Sequence, residues 1–390
     1  MRRVVSVGAG YAAQGLGYAA LVTALPLFKD RQDITDGMVS AILLGVCVAG
    51  AGGSVLAEWV AARWGSRFAL VAGLLTIATG LGLTTVTTPM VLFTAIFVLY
   101  GLGLGMVDAG LSMQGVLVQA RLGRSVMSRL FAAYTAAAIV AALLMSGFSA
   151  SGAGLSVAVG AAAVFAALVG VIGLTSFEPG RTVVQHEDGG RLRPANFRRV
   201  VLICGVLIFT AFLADSAVST WSTVYLHDSL NASDSAAPLG YAAYQATVLV
   251  SRLAGDHLVP RIGRVPSAAG CLLICALGCG LVVAVPTAAV AVLGFALTGI
   301  GVGVLVPLTF SAVGDAVPGQ SDDVIARVNI FNYGGALLGA VAIGGLSDPI
   351  GLRLAFLVPV VGLLLTLSAV RALGDLREGT SGPLLPAAPA

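Results

Sequence analysis

The segment Glu58-Trp59-Val60-Ala61-Ala62-Arg63-Trp64-Gly65-Ser66-Arg67 returns 198 residues later as Asp256-His257-Leu258-Val259-Pro260-Arg261-Ile262-Gly263-Arg264-Val265. The acid, the Arg-x-Gly turn and their spacing are kept. At the same offset, Gly101-Leu102-Gly103-Leu104-Gly105 returns as Gly299-Ile300-Gly301-Val302-Gly303. Asp30 and Asp36 fall opposite Asp228 and Asp234, and Arg129 falls opposite Arg327. One offset held through separate regions means two related units in tandem.

The chain is 58% hydrophobic and 10% charged, against roughly 25% charged in a soluble domain. Residues 68–107, 130–177, 200–214 and 265–314 carry no charged side chain. The longest of these runs exceed the ~20 residues that cross a bilayer, so each must hold two spans and a turn. Turn signals stand where those breaks are needed, at Thr87-Thr88-Pro89, Ser149–Gly154 and Pro286-Thr287. The pattern predicts an all-α polytopic membrane protein of twelve transmembrane helices, at 4–27, 38–62, 68–87, 90–113, 129–149, 153–176, 200–225, 238–260, 266–286, 289–312, 325–347 and 350–372. These form two pseudo-symmetric six-helix halves, 1–176 and 200–373. Residues 177–199 are expected to be a cytoplasmic linker, and 374–390 a disordered cytoplasmic tail.

Orientation follows from where the charges lie. The 21 basic residues are 20 Arg and Lys29. With the N-terminus cytoplasmic, all but Lys29, Arg31 and Arg353 fall on the cytoplasmic side, which puts both termini inside. The same scatter over many short loops argues against nucleic-acid binding, which gathers basic residues on one face. Arg2-Arg3 before an apolar run is not read as a signal peptide, because the run is too long for one. Arg-dominated basic usage suggests a bacterial source and hence the inner membrane. In that setting the sequon Asn231-Ala232-Ser233 is read as chance.

Three motifs point elsewhere and are set aside. Gly8-Ala9-Gly10-Tyr11-Ala12-Ala13 matches a dinucleotide-binding loop, but that loop needs a strand-helix-strand unit. Here the chain runs on apolar to Pro26. Cys271, Cys275 and Cys279 share one helix face, without any His or acid for a metal. Gly335-x-x-x-Gly339 is a small-residue packing pair. No cofactor and no metal is implied. The three His residues lie near loops, and no catalytic triad converges, so an enzyme is not expected.

The loops around Arg63-Trp64-Gly65 and Arg261-Ile262-Gly263 resemble the cytoplasmic signature that the major facilitator superfamily carries once per half. The signature's Asp position is Ala62 in one half and Pro260 in the other, with Glu58 and Asp256 standing four residues earlier. The resemblance covers nearly the whole chain. It implies alternating access around a central site, and a cytoplasmic gate involving Glu58, Arg63, Gly65, Arg67, Asp256, Arg261, Gly263 and Arg264, with Arg129 and Arg327 beside it. Gly103–Gly115, which holds Asp108 and Gln114, is similar to the fourth span of fucose-permease-like transporters. Asp215-Ser216-Ala217-Val218-Ser219-Thr220-Trp221-Ser222-Thr223-Val224-Tyr225-Leu226 is similar to their seventh. In that branch an acid in span four belongs to the proton-coupling and substrate apparatus. The branch's first-span acid is missing here, and Gln14 and Tyr18 are the polar groups in that span.

Asp108 and Asp215 are the acids placed deep in spans. A carboxylate at a helix centre costs ~2.5–3.5 kcal/mol to insert, and removal from water favours its neutral form. Both are therefore candidate proton-coupling residues. The competing view is that each only fastens helices together. No Arg or Lys is placed deep in a span, so neither acid is expected to have an intramembrane counter-ion. Asp256 is read as a surface pair with Arg252 four residues before it. The acidic loop Asp315, Asp322 and Asp323 is expected to meet Arg residues of neighbouring loops. Candidate substrate contacts are Gln14, Tyr18, Gln114, Tyr134, Trp221, Tyr244, Gln245, Asn329, Asn332 and Tyr333. Such aromatic faces with amide and hydroxyl groups suit a polyol or another small polar solute.

The expectation is a monomeric, proton-coupled secondary transporter of a small organic solute. Import is favoured, because span four lacks the Arg, and span five the Gly/Pro-rich motif, of proton-coupled drug exporters. Efflux by antiport is the alternative. A non-transporting sensor or scaffold on the same fold is the remaining one.

Overall fold

The computed structural model describes residues 2–86, 88–122, 126–152, 154–179, 194–316 and 321–378. Among them are twelve helices of 19 residues or more. The first half holds α1 (Arg2–Thr23), α2 (Asp36–Trp64), α3 (Ser66–Thr84), α4 (Met90–Leu122), α5 (Met127–Ala150) and α6 (Gly154–Ser176). The second holds α7 (Pro194–Val224), α8 (Pro238–Ile262), α9 (Arg264–Ala284), α10 (Ala288–Ala316), α11 (Ser321–Ile350) and α12 (Leu357–Glu378). Apolar side chains such as Val91, Val171, Ile172, Val250, Leu253 and Leu365 face outward and are exposed. A surface of that kind is stable against lipid rather than water, where only helices with their backbone bonds closed internally can sit.

Several helices outrun their expected spans. α4 runs to Leu122 instead of stopping near 113, because Gln114–Leu122 contains no Pro and only Gly115 as a weak former. α7 begins at Pro194, which fits at a helix start where its missing N–H costs nothing. α12 continues to Glu378, so the tail expected from 374 starts as helix. Residues 180–193 of the expected linker and 379–390 of the tail lie outside the described residues. So does the structure of 317–320 and the side chains of Asp256, Asp315, Asp322, Asp323 and Asn329. The first span breaks after Thr23 and continues as Leu25–Gln32, bent by 47°. Pro26, which cannot donate its backbone N–H to the preceding turn, accounts for the break.

The repeat is visible in the packing itself. Gly101 of α4 lies against the Val46 backbone of α2, and Gly299 of α10 against the Tyr244 backbone of α8. Gly105 lies on the Gly50 carbonyl, and Gly303 against Val248. In each case the partner has moved on by the same 198 residues as the glycine. A side chain at any of these positions would collide with the neighbouring backbone. The glycines are therefore what lets helices approach backbone to backbone. The turns that join α2 to α3 and α8 to α9 match in the same way. Gly65 and Gly263 hold φ of 101° and 94°, a region that only glycine enters freely.

The face at which α1 begins and α12 ends is called the terminal face, and the opposite one the distal face. The halves meet mainly along α2 against α11 and α5 against α8.

Gly105→Ala should destabilise the folded protein by about 1–3 kcal/mol through overpacking, seen as a lowered melting temperature in detergent. Gly345→Ala, where an added Cβ meets nothing within 4 Å, should leave the melting temperature near wild type.

Candidate solute-binding cleft

Asp108 of α4 lies within the bundle, yet its side chain is solvent-accessible. Its carboxylate accepts a hydrogen bond from the Gln14 amide of α1. Asp215 of α7 is half-buried and accepts the Tyr244 hydroxyl of α8. Tyr18 is within electrostatic reach of both carboxylates and touches the Thr220 side chain across the two halves. Around this pair gather most of the chain's tyrosines. Asp108 acts on Tyr11, Tyr18, Tyr100, Tyr134 and Tyr333. Asp215 acts on Tyr18, Tyr134, Tyr241 and Tyr244. That is seven of the eight tyrosines in the sequence. The eighth, Tyr225, donates instead to the Val282 carbonyl at 3.1 Å. Tyr18 of α1, Tyr134 of α5 and Tyr333 of α11 keep accessible surface, so both halves contribute, while Tyr11, Tyr100, Tyr241 and Tyr244 are buried behind them. Tyr333, in the opposite half, is 69% exposed and lies within electrostatic reach of Asp108.

The expected contacts divide. Gln14, Tyr18, Tyr134, Asn332 and Tyr333 retain accessible surface or reach an acid of the cleft. Gln114 does not belong there. It is fully buried. Its amide donates to Ser66 Oγ at 2.8 Å and to the Glu178 carbonyl at 2.9 Å, and its oxygen accepts the Glu178 N–H at 2.8 Å. Both its N–H donors and one lone pair of its oxygen are spent tying α4 to α3 and to the end of α6. Trp221 is also corrected. Its ring is fully buried, its Nε1–H donates to the Ala340 carbonyl at 2.8 Å, and it packs on Gly344 of α11. It ties α7 to α11 within the second half and is closed to a solute in this conformation. Tyr244 and Gln245 are buried one layer back, Tyr244 holding Asp215 and Gln245 donating to Tyr241 Oη at 2.7 Å.

Glu178 was not singled out by sequence. It ion-pairs with Arg3 and with Arg121, the latter at 3.1 Å. Burial opposes its charge, but the hydrogen bonds and charges of the two Arg residues outweigh that and hold the carboxyl below its ordinary value. This fastens α1, α4 and α6 together on the terminal face.

The expectation that no cation lies deep in a span fails at Arg252. It sits in α8 and its charge acts on Asp215 and Tyr244. α8 is also the one long helix not apolar enough to register as a span. Its polarity was the signal. Tyr241, Tyr244, Gln245, Ser251 and Arg252 recur at three- and four-residue spacing, one face of a helix.

The contacts that join the halves are concentrated on the distal face. Lys29 bridges Asp36 of its own half and Asp228 of the other. His227 binds the same Asp228 at 2.7 Å and Asp234 at 3.0 Å. Lys29 and His227 are themselves 198 residues apart, so each repeat supplies one nitrogen base and its acids. Asp348 of α11 accepts from Thr35 Oγ1 at 3.1 Å and from the Gly37 N–H at 3.2 Å. Ser146 Oγ donates to the Ser235 carbonyl at 2.6 Å. On the terminal face, Glu58, Arg129, Arg261 and Arg327 are exposed. Arg67 stacks over Phe68 at 4.8 Å, Arg63 over Trp64 at 5.7 Å, and Arg264 bonds Ser311 of its own half at 3.3 Å. Among the described residues the ion pair that joins the halves, Lys29 to Asp228, thus lies on the distal face.

The family profile described as Major Facilitator Superfamily matches residues 7–320 and again 204–388. This chain belongs to the Major Facilitator Superfamily. It is a multi-pass membrane transporter rather than an enzyme. An uncharacterized MFS-type transporter of Yersinia pestis is 27% identical over 369 residues, covering 94% of this chain and 95% of that protein. An uncharacterized transporter of Sinorhizobium fredii is 28% identical over 383 residues, covering 95% and 99%. Membrane protein MosC of Rhizobium meliloti is 30% identical over 178 residues, or 44% of this chain and 42% of that one. Among solved structures, the nucleoside transporter NupG (a D323A mutant) superposes with a TM-score of 0.74 at 14% identity, covering 95% and 99%. A bacterial homolog of the human lysosomal transporter Spinster, in an inward-facing and occupied conformation, superposes at 0.73 and 14%, covering 98% of each chain. At those identities the likeness is one of fold.

Removing the distal latch should loosen that face. In Lys29→Gln, a cysteine placed at the buried Ser40 (2% exposed) should react several-fold faster with a membrane-impermeant maleimide from the distal side. An unchanged rate would mean that the ion pair does not hold the face shut.

Proposed function

We propose that this protein couples movement of a small polar organic solute to a proton carried by Asp108, in the import direction, as a fucose-permease-like member of the superfamily. The observation that carries this is the setting of Asp108. It is an acid at membrane depth, reached by solvent, whose side-chain partner is the neutral Gln14 amide. A carboxylate held by a cation would stay charged through the cycle. One held by an amide can take a proton without leaving a buried charge unpaired. The tyrosines around it offer hydroxyl donors and aromatic faces to a solute from both halves, as a rocking carrier requires.

The two halves, 1–176 and 200–373, act as the moving bodies, and a single chain suffices. The excess of Arg on the terminal side supports placing that face in the cytoplasm of a bacterial inner membrane. The described conformation is then inward-facing. When the halves rock the other way, the distal ion pairs part. Glu58, Arg63, Arg67, Arg129, Arg261, Arg264 and Arg327 then close the cytoplasmic side in their turn.

In proteoliposomes, a solute from a panel of sugars, polyols, amino acids and organic acids should drive a proton current in wild type. Asp108→Asn should lower uphill accumulation by about tenfold or more, ~1.4 kcal/mol per decade, while solute exchange without a gradient persists. Accumulation undiminished in Asp108→Asn would remove Asp108 from the coupling. Proton movement opposite to the solute would replace import with efflux.

A further inference from the structure

α8 presents one face to the bundle, with Tyr241, Tyr244, Gln245, Val248 and Ser251 buried along it. Arg252 follows Val248 by four positions and shares that face, while its neighbours Val250 and Leu253 face outward. It stands ten positions before Ile262, the end of the helix, or ~15 Å at the helical rise. That is inside the hydrocarbon of a bilayer about 30 Å thick. A guanidinium does not give up its proton there, so its charge must be met.

Among the described residues, which leave out the side chain of Asp256 four positions on, nothing meets the charge of Arg252 fully. Its Nη1 lies 3.4 Å from Thr135 Oγ1 of α5. The hydroxyl hydrogen is used on the Phe131 carbonyl at 3.1 Å, so Arg252 receives only a neutral lone pair. Asp215 lies within electrostatic reach, but its carboxylate takes the Tyr244 hydroxyl and does not ion-pair with Arg252. Among the described residues only Nη1 of Arg252 finds a hydrogen-bond acceptor, and the fork fits a carboxylate in bidentate fashion. In the repeat, Arg252 stands opposite Ser54, Asp108 opposite Val306 and Asp215 opposite Gly17, so each of these charged groups belongs to one half alone.

We propose that Arg252 anchors a carboxylate of the transported solute, on the side of the cleft formed by α5, α7 and α8. This rests on the transport reading above and narrows its substrate class to organic anions. It also gives the proton a reason. Asp108 and Asp215 together repel an anion, and a proton taken up at Asp108 removes one of those charges, so solute and proton load together. The other titratable groups facing the two acids are Tyr11 and Tyr18 of α1, Tyr100 of α4, Tyr134 of α5, Tyr241 and Tyr244 of α8, Cys275 of α9 and Tyr333 of α11.

The test uses two sets of probes that differ chiefly in charge: glucuronate, glucose and glucosamine, and benzoate, benzamide and benzylamine. Binding is read as a rise in melting temperature of the purified full chain, for wild type, Arg252→Gln and Arg252→Lys. At least one carboxylate should stabilise wild type, and its neutral and cationic counterparts should not. Its affinity should fall about tenfold or more in Arg252→Gln and less in Arg252→Lys, which keeps the charge without the fork. Arg252→Lys also serves where the Gln variant folds poorly. The proposal is overturned if a neutral or cationic probe stabilises as well as its carboxylate, if the carboxylate binds Arg252→Gln undiminished, or if neither carboxylate binds wild type. Proton currents driven by glucose or glucosamine would sink this proposal and leave transport standing. Carboxylate binding without any solute-driven current would do the reverse.

Discussion

Inside a bilayer a polar group has no water to turn to, so it is met by another part of the protein or by a cargo. That constraint arranges this molecule. Twelve helices close their backbone bonds internally and turn Val, Leu and Ile outward. Asp108, Asp215 and Arg252 stand in one region between the halves, with Tyr18, Tyr134 and Tyr333 beside them. A single charged side chain in hydrocarbon costs a few kcal/mol, and the proposed transport of a polar solute gives a reason to keep three of them there.

The duplication separates frame from function. Gly101 and Gly105 draw α4 onto α2, and Gly299 and Gly303 do the same for α10 on α8. Gly65 and Gly263 make matching turns. Lys29 and His227, with Asp36, Asp228 and Asp234, mesh at the distal face as two copies of one device. Two bodies with the same frame and a shared seam can rock about it, and a latch made of ion pairs at the rim can open without disturbing either core. The chemistry in the centre breaks the symmetry, as a site for one asymmetric molecule should.

Much of this was legible in the sequence, because hydrophobic runs and a fixed repeat are one-dimensional signals. The twelve helices, the halves and the depth of Asp108 and Asp215 follow from them. Which face of a helix a polar residue occupies is not one-dimensional. Gln114 and Trp221 stand on helices that line the cleft, yet both point into packing, one toward Ser66 and Glu178 and the other toward Ala340 and Gly344. Arg252 was read only with Asp256, whose side chain lies outside the described residues, and spacing alone does not show that its charge also reaches Asp215. The distal latch was half legible. Its acids were visible as repeat mates, but Lys29 and His227 differ in type and their equivalence emerges only in the contacts they make.

The central claim is that the two halves rock about the cleft, closing one face as the other opens. It is tested most directly by distances across both faces in lipid nanodiscs, with spin labels at Val91 and Ser233 distally and at Leu122 and Leu258 terminally. The five native cysteines are first replaced. The account predicts two populations at each face, a longer distal distance appearing in step with a shorter terminal one. A single distance at both faces, unchanged by pH or by bound solute, would contradict it.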